Sequence, residues 1–397
     1  MISQHGIDLI RDDQKLRRVR TVMRQAELEA LVLHVPENVV YLSGAWCGRA
    51  LSYAVLPLEG EPVLVLSTSE TRPRTWISDI RWYTPETYHH IGNAVLAGAE
   101  KIRETLSALG LDRAAIGIER NWPLLLATPM RYEMNFIHES VLDKKLDAYK
   151  LRDASPVLVQ ARSVKTEEEV KLLRKANHIA EIGLTVFHRN LKAGLREVEL
   201  STKIEHEIVT QGIIKHHADQ VVACAFVASG PLTAEGYKYV IGNTRRKLRQ
   251  GDLVMLELDV NVDGYSSDLT RTFVVGKPSK RQRELFEAVL DSQTTAISAI
   301  KPRERASEVA KCALMVLQRY KLSKYLMHRL GHGIGVGVHE PIPGLHVEST
   351  DVLQPGMVHS VEPGIYGPKI GGIRIEDDIL DTEKAAECLS VFQKIPE

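Results

Sequence analysis

The chain carries no excess of either charge, no long apolar run, no clustered cysteines and no histidine between His217 and His328. Lysine plus arginine equals aspartate plus glutamate at 51 each, and no basic run is long enough to track a phosphate backbone, which excludes a dedicated nucleic-acid binder. No stretch approaches the roughly 18–20 apolar residues that span a bilayer, so no membrane partner is expected. The first segment, MISQHGIDLIRDDQKLRR, is charged early and has no apolar signal-peptide core. Cys47, Cys224, Cys312 and Cys388 lie far apart and form no CxxC pair, which argues against a zinc knuckle or a disulfide framework. A cytoplasmic location is expected, with the thiols serving as small apolar side chains. There are no repeats and no low-complexity tracts.

What is present is ordinary in amount, at 44% hydrophobic and 26% charged residues, but too long at 397 residues for one core. Two domains are expected, 1–155 and 156–397. In the first, residues 13–30 have helical spacing, 30–34 (ALVLH) is a short apolar run, and YAVLPLEGEPVLVL reads as a hairpin turning at 59–62. A helix over 94–109 ends at Gly110, with the run AAIGIE after it. The spacing predicts an α/β domain, a sheet covered by helices. In the second, Thr166 and Glu169 form a capping box for a long amphipathic helix. Further helices are expected at about 197–211, stopped by Gly212, and at 280–300 and 306–320. Strands are expected at 253–260, 270–275, 357–361 and 373–380, giving an α+β domain of helices on a largely antiparallel sheet.

Five residues of this second half, Glu257, Asp268, His332, Glu362 and Glu376, form a candidate two-metal site. Hard divalent ions prefer carboxylate oxygen, and softer ones also accept imidazole. Two ions roughly 3.5–4 Å apart need bridging carboxylates and terminal ligands, and together they activate a water near neutral pH. Four carboxylates and one imidazole meet that need; buried without cations they would repel one another severely.

The segments SSDLTRTF, RLGHGIGVGVHE, HSVEPGIY and GIRIEDD resemble the signature blocks of the pita-bread metallopeptidase family, which includes methionine aminopeptidase, aminopeptidase P, prolidase and creatinase. They cover the second half in order. The preceding domain is similar to that of the prolidase, aminopeptidase P and creatinase branch. The resemblance implies a pita-bread catalytic domain holding two divalent ions (Mn, Co or Zn), a small peptide as substrate with proline at the leaving side, and a homodimer. It implies Asp268 and Glu376 as bridging ligands, His332 and Glu362 as terminal ones, and Glu362 as a proton shuttle. His339 would hold the substrate, while His328 and Arg374 would support the ligands, Arg374 through paired hydrogen bonds from the same strand face. His328 would stand one helical turn before His332.

Two departures stand out. The family's first aspartate is here Glu257, one methylene longer, which implies altered geometry or reduced occupancy of one ion; Asp259, two residues on, shares its strand face and is an alternative ligand. The family's upstream histidine falls in EGYKYVIGN, with Val240 at its position and Tyr237 or Tyr239 as alternative donors. These departures keep open a small non-peptide substrate, as in creatinase-like C–N hydrolysis or dimethylsulfoniopropionate lyase chemistry, and a pseudoenzyme binding module. His359 is unassigned between surface and ligand support. The doublets 89–90 and 216–217 are expected to be exposed or locally bonded, and Trp46 and Arg49 in LSGAWCGRA to shape specificity.

Overall fold

The computed structural model describes residues 11–46, 52–89, 91–120, 139–238 and 242–395. Cys47, Arg49, His90, Tyr239 and Val240 lie outside them. Tertiary contacts divide the chain into units Met1–Arg162 and Ser163–Glu397. The division falls beyond the expected 155/156 boundary because the helix over 155–163 belongs largely to the first unit. Its Val157, Leu158 and Ala161 are buried, Arg162 donates to Asn38 Oδ1 at 2.8 Å, and Tyr41 OH donates to the Ala161 carbonyl at 3.2 Å.

The first unit runs α1 (Asp13–Gln25), β1 (Ala30–Leu33), α2 (Pro36–Ser43), β2 (Tyr53–Pro57), β3 (Val63–Ser67), β4 (Asp79–Tyr83), α3 (Ala94–Ala108), β5 (Ala115–Ile118), α4 (Glu139–Lys145), β6 (Lys150–Asp153) and α5 (Ser155–Ser163). Its sheet has the order β4-β3-β2-β1-β5-β6, with β1–β2 and β2–β3 antiparallel and the outer pairs parallel. Helix α1 ends at Gln25, short of the expected 30, because Glu27 takes a positive φ of 54° and turns the chain into β1. Ala30, Val32, Val55 and Ile116 pack with Ala99, Ile102 and Leu106 of α3, while Leu31, Leu33 and Leu56, of opposite parity, are also fully buried. Both sheet faces are therefore covered, and the strands read as continuous apolar runs.

The second unit runs α6 (Glu167–Arg189), α7 (Glu197–Ile214), β7 (Val221–Ser229), β8 (Leu253–Val262), β9 (Tyr265–Val274), α8 (Lys280–Ala299), α9 (Ala306–Arg319), β10 (Gly331–Gly333), β11 (Glu340–Leu345), β12 (Val358–Val361), β13 (Gly364–Gly367), β14 (Gly371–Arg374), β15 (Asp377–Asp381) and β16 (Ala386–Cys388). Thr166 and Glu169 make the expected capping box, at 3.3 and 3.0 Å. Helix α7 passes through Gly212 rather than stopping there. A Cβ at that position would sit 2.9 Å from Val221 Cγ2, so the glycine serves close packing, not a cap. Three sheets, β7-β8-β9, β11-β10-β12-β15-β16 and β13-β14, are built of antiparallel pairs.

The β8–β9 ribbon sets the geometry of everything that follows. Asp263 and Gly264 turn it with φ of 51° and 92°, the pair of positive values that a two-residue hairpin of this twist requires. Val262 then faces Tyr265, and the register places Asp259 opposite Asp268 and Glu257 opposite Thr270. Leu256, Leu258, Val260, Leu269 and Phe273 point into the core beneath α6 and α7, each fully buried aliphatic contributing about 1.5–3 kcal/mol. The alternate residues Glu257, Asp259, Asp268 and Thr270 are left on the other face. A slip of one residue would bury the acids in the core and expose the leucines.

The expected strand 373–380 is two strands in different sheets. β14 ends at Arg374 and β15 begins at Asp377, so Ile375 and Glu376 form a break between them. Among the described residues no helix is long and apolar enough to cross a membrane.

Candidate metal centre

The antiparallel sheets bring Asp268, His332, Glu362 and Glu376 together. His332 Nε2 stands 3.4 Å from Asp268 Oδ2 and 3.3 Å from Glu362 Oε1. Ligand atoms of three overlapping groups lie within 4.8 Å of one another: Asp268, His332 and His339; His332, Glu362 and Glu376; and Glu257, Asp259 and Asp268. The elements explain the convergence. Asp268 projects from the ribbon, and His332 from the short β10, which lies so close to β12 that a Cβ on Gly331 would meet the Ser360 carbonyl at 2.1 Å. Glu362 follows β12, and Glu376 occupies the break between β14 and β15.

His332 is oriented for ligation. Its Nδ1 donates to the Gly333 carbonyl at 3.1 Å, which aims Nε2 at the acids, where it is the atom that would take a cation. His339 Nε2 lies 3.7 Å from Asp268 Oδ2. His328 is not on a helix; residues 326–330 are irregular. Its Nδ1 donates to the Arg329 carbonyl at 2.7 Å and its Nε2 lies 2.9 Å from Tyr366 OH. Arg374 Nη1 donates to the same hydroxyl at 3.0 Å, so Tyr366 joins Arg374 to His328.

Arg374 does not hold Glu376 by paired hydrogen bonds from a shared strand face, as expected. The strand ends at Arg374, and its Nε lies 3.6 Å from Glu376 Oε2. The link passes through Thr270, which accepts from Arg374 Nε at 2.8 Å and donates to Glu376 Oε2 at 2.6 Å. The Arg374 guanidinium instead forms an ion pair with Glu257.

Electrostatics separate the acids. Burial, with the charges of Glu376, Asp259 and Glu362, pushes Asp268 well above the usual carboxylate range. Burial and the charge of Glu362 do the same to Glu376, against the opposing pull of Arg374 and Thr270. Burial is also the main cause that brings Asp259 up to about 7. At Glu362 burial is outweighed by the hydrogen bond from His332 and the charges of the three imidazoles, which hold it at about 2. Both oxygens of Asp268, Oδ1 of Asp259 and Oε1 of Glu376 are buried without a hydrogen-bond partner. Such oxygens are costly unless a cation or donor satisfies them. Hard divalent ions supply what is missing, so the residues present fit them.

Behind the centre lies a second acidic network of different character. Arg271 pairs with Asp377 at 2.6 Å and donates to the backbone carbonyls of Thr270, Glu376, Phe392 and Gln393. Gln293, Lys394 and Ser390 complete the shell of Asp377. Although burial opposes it, the cations Arg271 and Lys394 hold Asp377 below the usual range. Asp378 Oδ2 accepts from Asp268 N at 3.2 Å and Asn177 Nδ2 at 2.8 Å, tying β9 to β15 and α6.

A cavity of about 230 Å³ opens onto the acids, with Phe226, Ala228, Tyr237 and Met255 as its apolar wall and His328, His339, Arg329 and Arg374 among its polar lining. Tyr237, one of the two tyrosines offered for the missing histidine, is in that wall. His359 is fully buried and pairs with Asp381 at 3.1 Å, away from the cavity. His217 is exposed, and His216 packs edge-on against His178. His89 is exposed, and of the loop suspected of shaping specificity only residues up to Trp46 are described. Thr270 and Tyr366 escape a reading that looks for ligands alone. The alternation placing Thr270 beside Asp268 on one strand face would have found the first.

Buried acids and an imidazole converging on a cavity in an antiparallel pita-bread fold define a metal-dependent hydrolase. Residues 171–383 match metallopeptidase family M24 and residues 15–164 match the creatinase/prolidase N-terminal domain; the chain belongs to family M24 and is a metal-dependent peptidase. It is 35% identical over 385 residues to an Xaa-Pro dipeptidase of Pyrococcus furiosus, covering 96% of this chain and 99% of that one. Over 387 residues it is 30% identical to an Xaa-Pro dipeptidase of Pyrococcus horikoshii, covering 96% and 98%. The structure of the prolidase from P. horikoshii superposes with a TM-score of 0.76 at 28% identity, covering 96% of this chain and 99% of that one.

Proposed function

We propose that the protein is an Xaa-Pro dipeptidase working with two divalent cations, Mn²⁺, Co²⁺ or Zn²⁺, held by Asp268, His332, Glu362, Glu376 and one acid of β8. The observation that carries this reading is the set of buried, partnerless carboxylate oxygens grouped with the Asp259, His332 and Glu362 side chains that line a small cavity. Its volume of about 230 Å³ is below the roughly 300–1,000 Å³ of pockets for drug-sized ligands, which favours a short peptide. The apolar wall suits a proline ring, and the names of the two relatives support that preference.

Divalent cations, when bound, polarise the scissile carbonyl and lower the pKa of a water. The chain's own residues prepare and finish the reaction. Thr270 and Arg374 fix Glu376, and the Gly333 carbonyl orients His332. Glu362, kept ionised by the imidazoles around it, accepts a proton on its carboxylate and returns it to the leaving nitrogen. His339 lines the cavity; burial keeps Tyr366 protonated far above neutral pH, so its hydroxyl holds its place between Arg374 and His328. We read the enzyme as a cytoplasmic homodimer, a reading supported by the dispersed free thiols Cys224, Cys312 and Cys388 and by the family's habit.

A second reading, hydrolysis of a small non-peptide C–N bond, is favoured by the Glu257–Arg374 ion pair alone. The test is turnover of Xaa-Pro dipeptides before and after chelation and re-addition of Mn²⁺. Activity lost with the metal and restored by it is expected. Full activity after exhaustive chelation would overturn the first reading.

A further inference from the structure

We infer that Asp259, and not Glu257, is the β8 carboxylate that holds a cation together with Asp268, and that Glu257 serves instead as the anchor of Arg374. The inference rests on the two-cation reading of the site and assigns its fifth ligand.

The two acids share one strand face, two residues apart, yet their surroundings differ. Asp259 stands directly across the ribbon from Asp268, is 4% exposed, and leaves Oδ1 without a partner. Directly opposed residues of an antiparallel pair have Cβ atoms about 4.5–5.5 Å apart, a spacing that lets two short acids grip one ion. Glu257 stands across from Thr270 instead, with its side chain 24% exposed. Its longer arm brings Oε2 to the guanidinium of Arg374, and Thr270 Oγ1 lies 3.0 Å from the same oxygen.

Moving each acid onto an ion has a different cost. Asp259 breaks no bond of Oδ1 on taking a cation. A cation on Glu257 Oε2, the oxygen that meets both Arg374 and Thr270, would draw that carboxylate from a guanidinium whose side chain is 6% exposed and set a divalent charge beside it. Breaking a buried pair from one side is strongly destabilising. The glutamate at 257 and the aspartate at 259 thus exchange tasks: the longer acid reaches the arginine and the shorter one the metal.

The test is Mn²⁺ titration of the full-length, metal-free protein by calorimetry, with melting temperatures read with and without Mn²⁺. Wild type binding no Mn²⁺ would sink the two-cation reading itself, independently of this assignment. With wild type binding two ions, Asp259→Asn is expected to bind one. Without metal it melts no lower than wild type, since it loses one of several crowded like charges, and this shows that it folds. Glu257→Gln is expected to bind two ions, weakened by no more than the ~10–100-fold typical of a residue that supports a ligand, and to melt lower than wild type without metal. Loss of one ion in Glu257→Gln, or retention of both in Asp259→Asn, would overturn the assignment.

Discussion

Glu376 and Asp377 are neighbours in sequence, both buried, and they belong to two opposite electrostatic regions. Asp377 is surrounded by Arg271, Lys394, Gln293 and Ser390 and is held below its ordinary pKa. Glu376 turns the other way into a group of acids, with one oxygen lacking any donor and its pKa pushed well up. The difference teaches how to read buried carboxylates. One supplied with donors is part of the scaffold, whereas several without donors, sharing one space, mark a place for cations.

The strongest way to break this contrast is Asp268→Asn. It is expected to lower kcat/KM by about a thousandfold or more, equivalent to roughly 4 kcal/mol of lost transition-state stabilisation. The metal-free protein should be no less stable, which thermal melting in chelator checks. Arg271→Ala should do the reverse, removing about 3–5 kcal/mol of stability by stripping a buried acid of its main cation; urea unfolding measures it. Thr270→Val tests the join between the regions. Without the hydroxyl between Arg374 and Glu376, metal affinity should fall about 10–100-fold, read by calorimetry, with little change in melting of the metal-free protein.

The smallest effect sharpens the rule from outside the site. Glu37 in the first unit is buried with both oxygens partnerless, and the charges acting on it are those of one cation, Arg162, and one acid, Glu119. Burial there raises its carboxyl to about 7, so it stays protonated through the mildly acidic range. In the unfolded chain the same group ionises near ~4.3. Between these values the folded state holds more protons than the unfolded one, so stability falls as pH rises through that window and levels off above it. Glu37→Gln should flatten this dependence, seen as melting temperatures at pH 5 and pH 8 that lie closer together than in wild type. An unchanged slope would remove Glu37 from the account.

Much of the architecture is legible because local signals and core demands coincide. The alternation in VMLELDV and SSDLTRTF announces strands with an acidic face, and Thr166 with Glu169 announces a helix start. Legibility fails where one residue type answers two needs. Gly212 looks like a helix stop and is a packing contact. The apolar run 373–380 looks like one strand because periodicity cannot register that its halves pair in different sheets, so Arg374 and Glu376 share no strand face. The sequence offers Asp259 beside Glu257 without choosing between them, since the choice depends on which acid reaches an arginine brought in from β14. Thr270 lies inside a recognisable block, but its position between two charged partners exists only after three strands meet.

Arg271 carries one more consequence. Its guanidinium joins the carbonyls of Thr270 and Glu376 to those of Phe392 and Gln393, so the stretch around 392 works as a latch on the backbone that carries the catalytic acids. Trimming the chain ahead of Phe392 would release that latch, leaving the ligand side chains intact on a backbone no longer held in place. Damage at the periphery of the sequence would thus appear first as lost metal, and only later as lost fold.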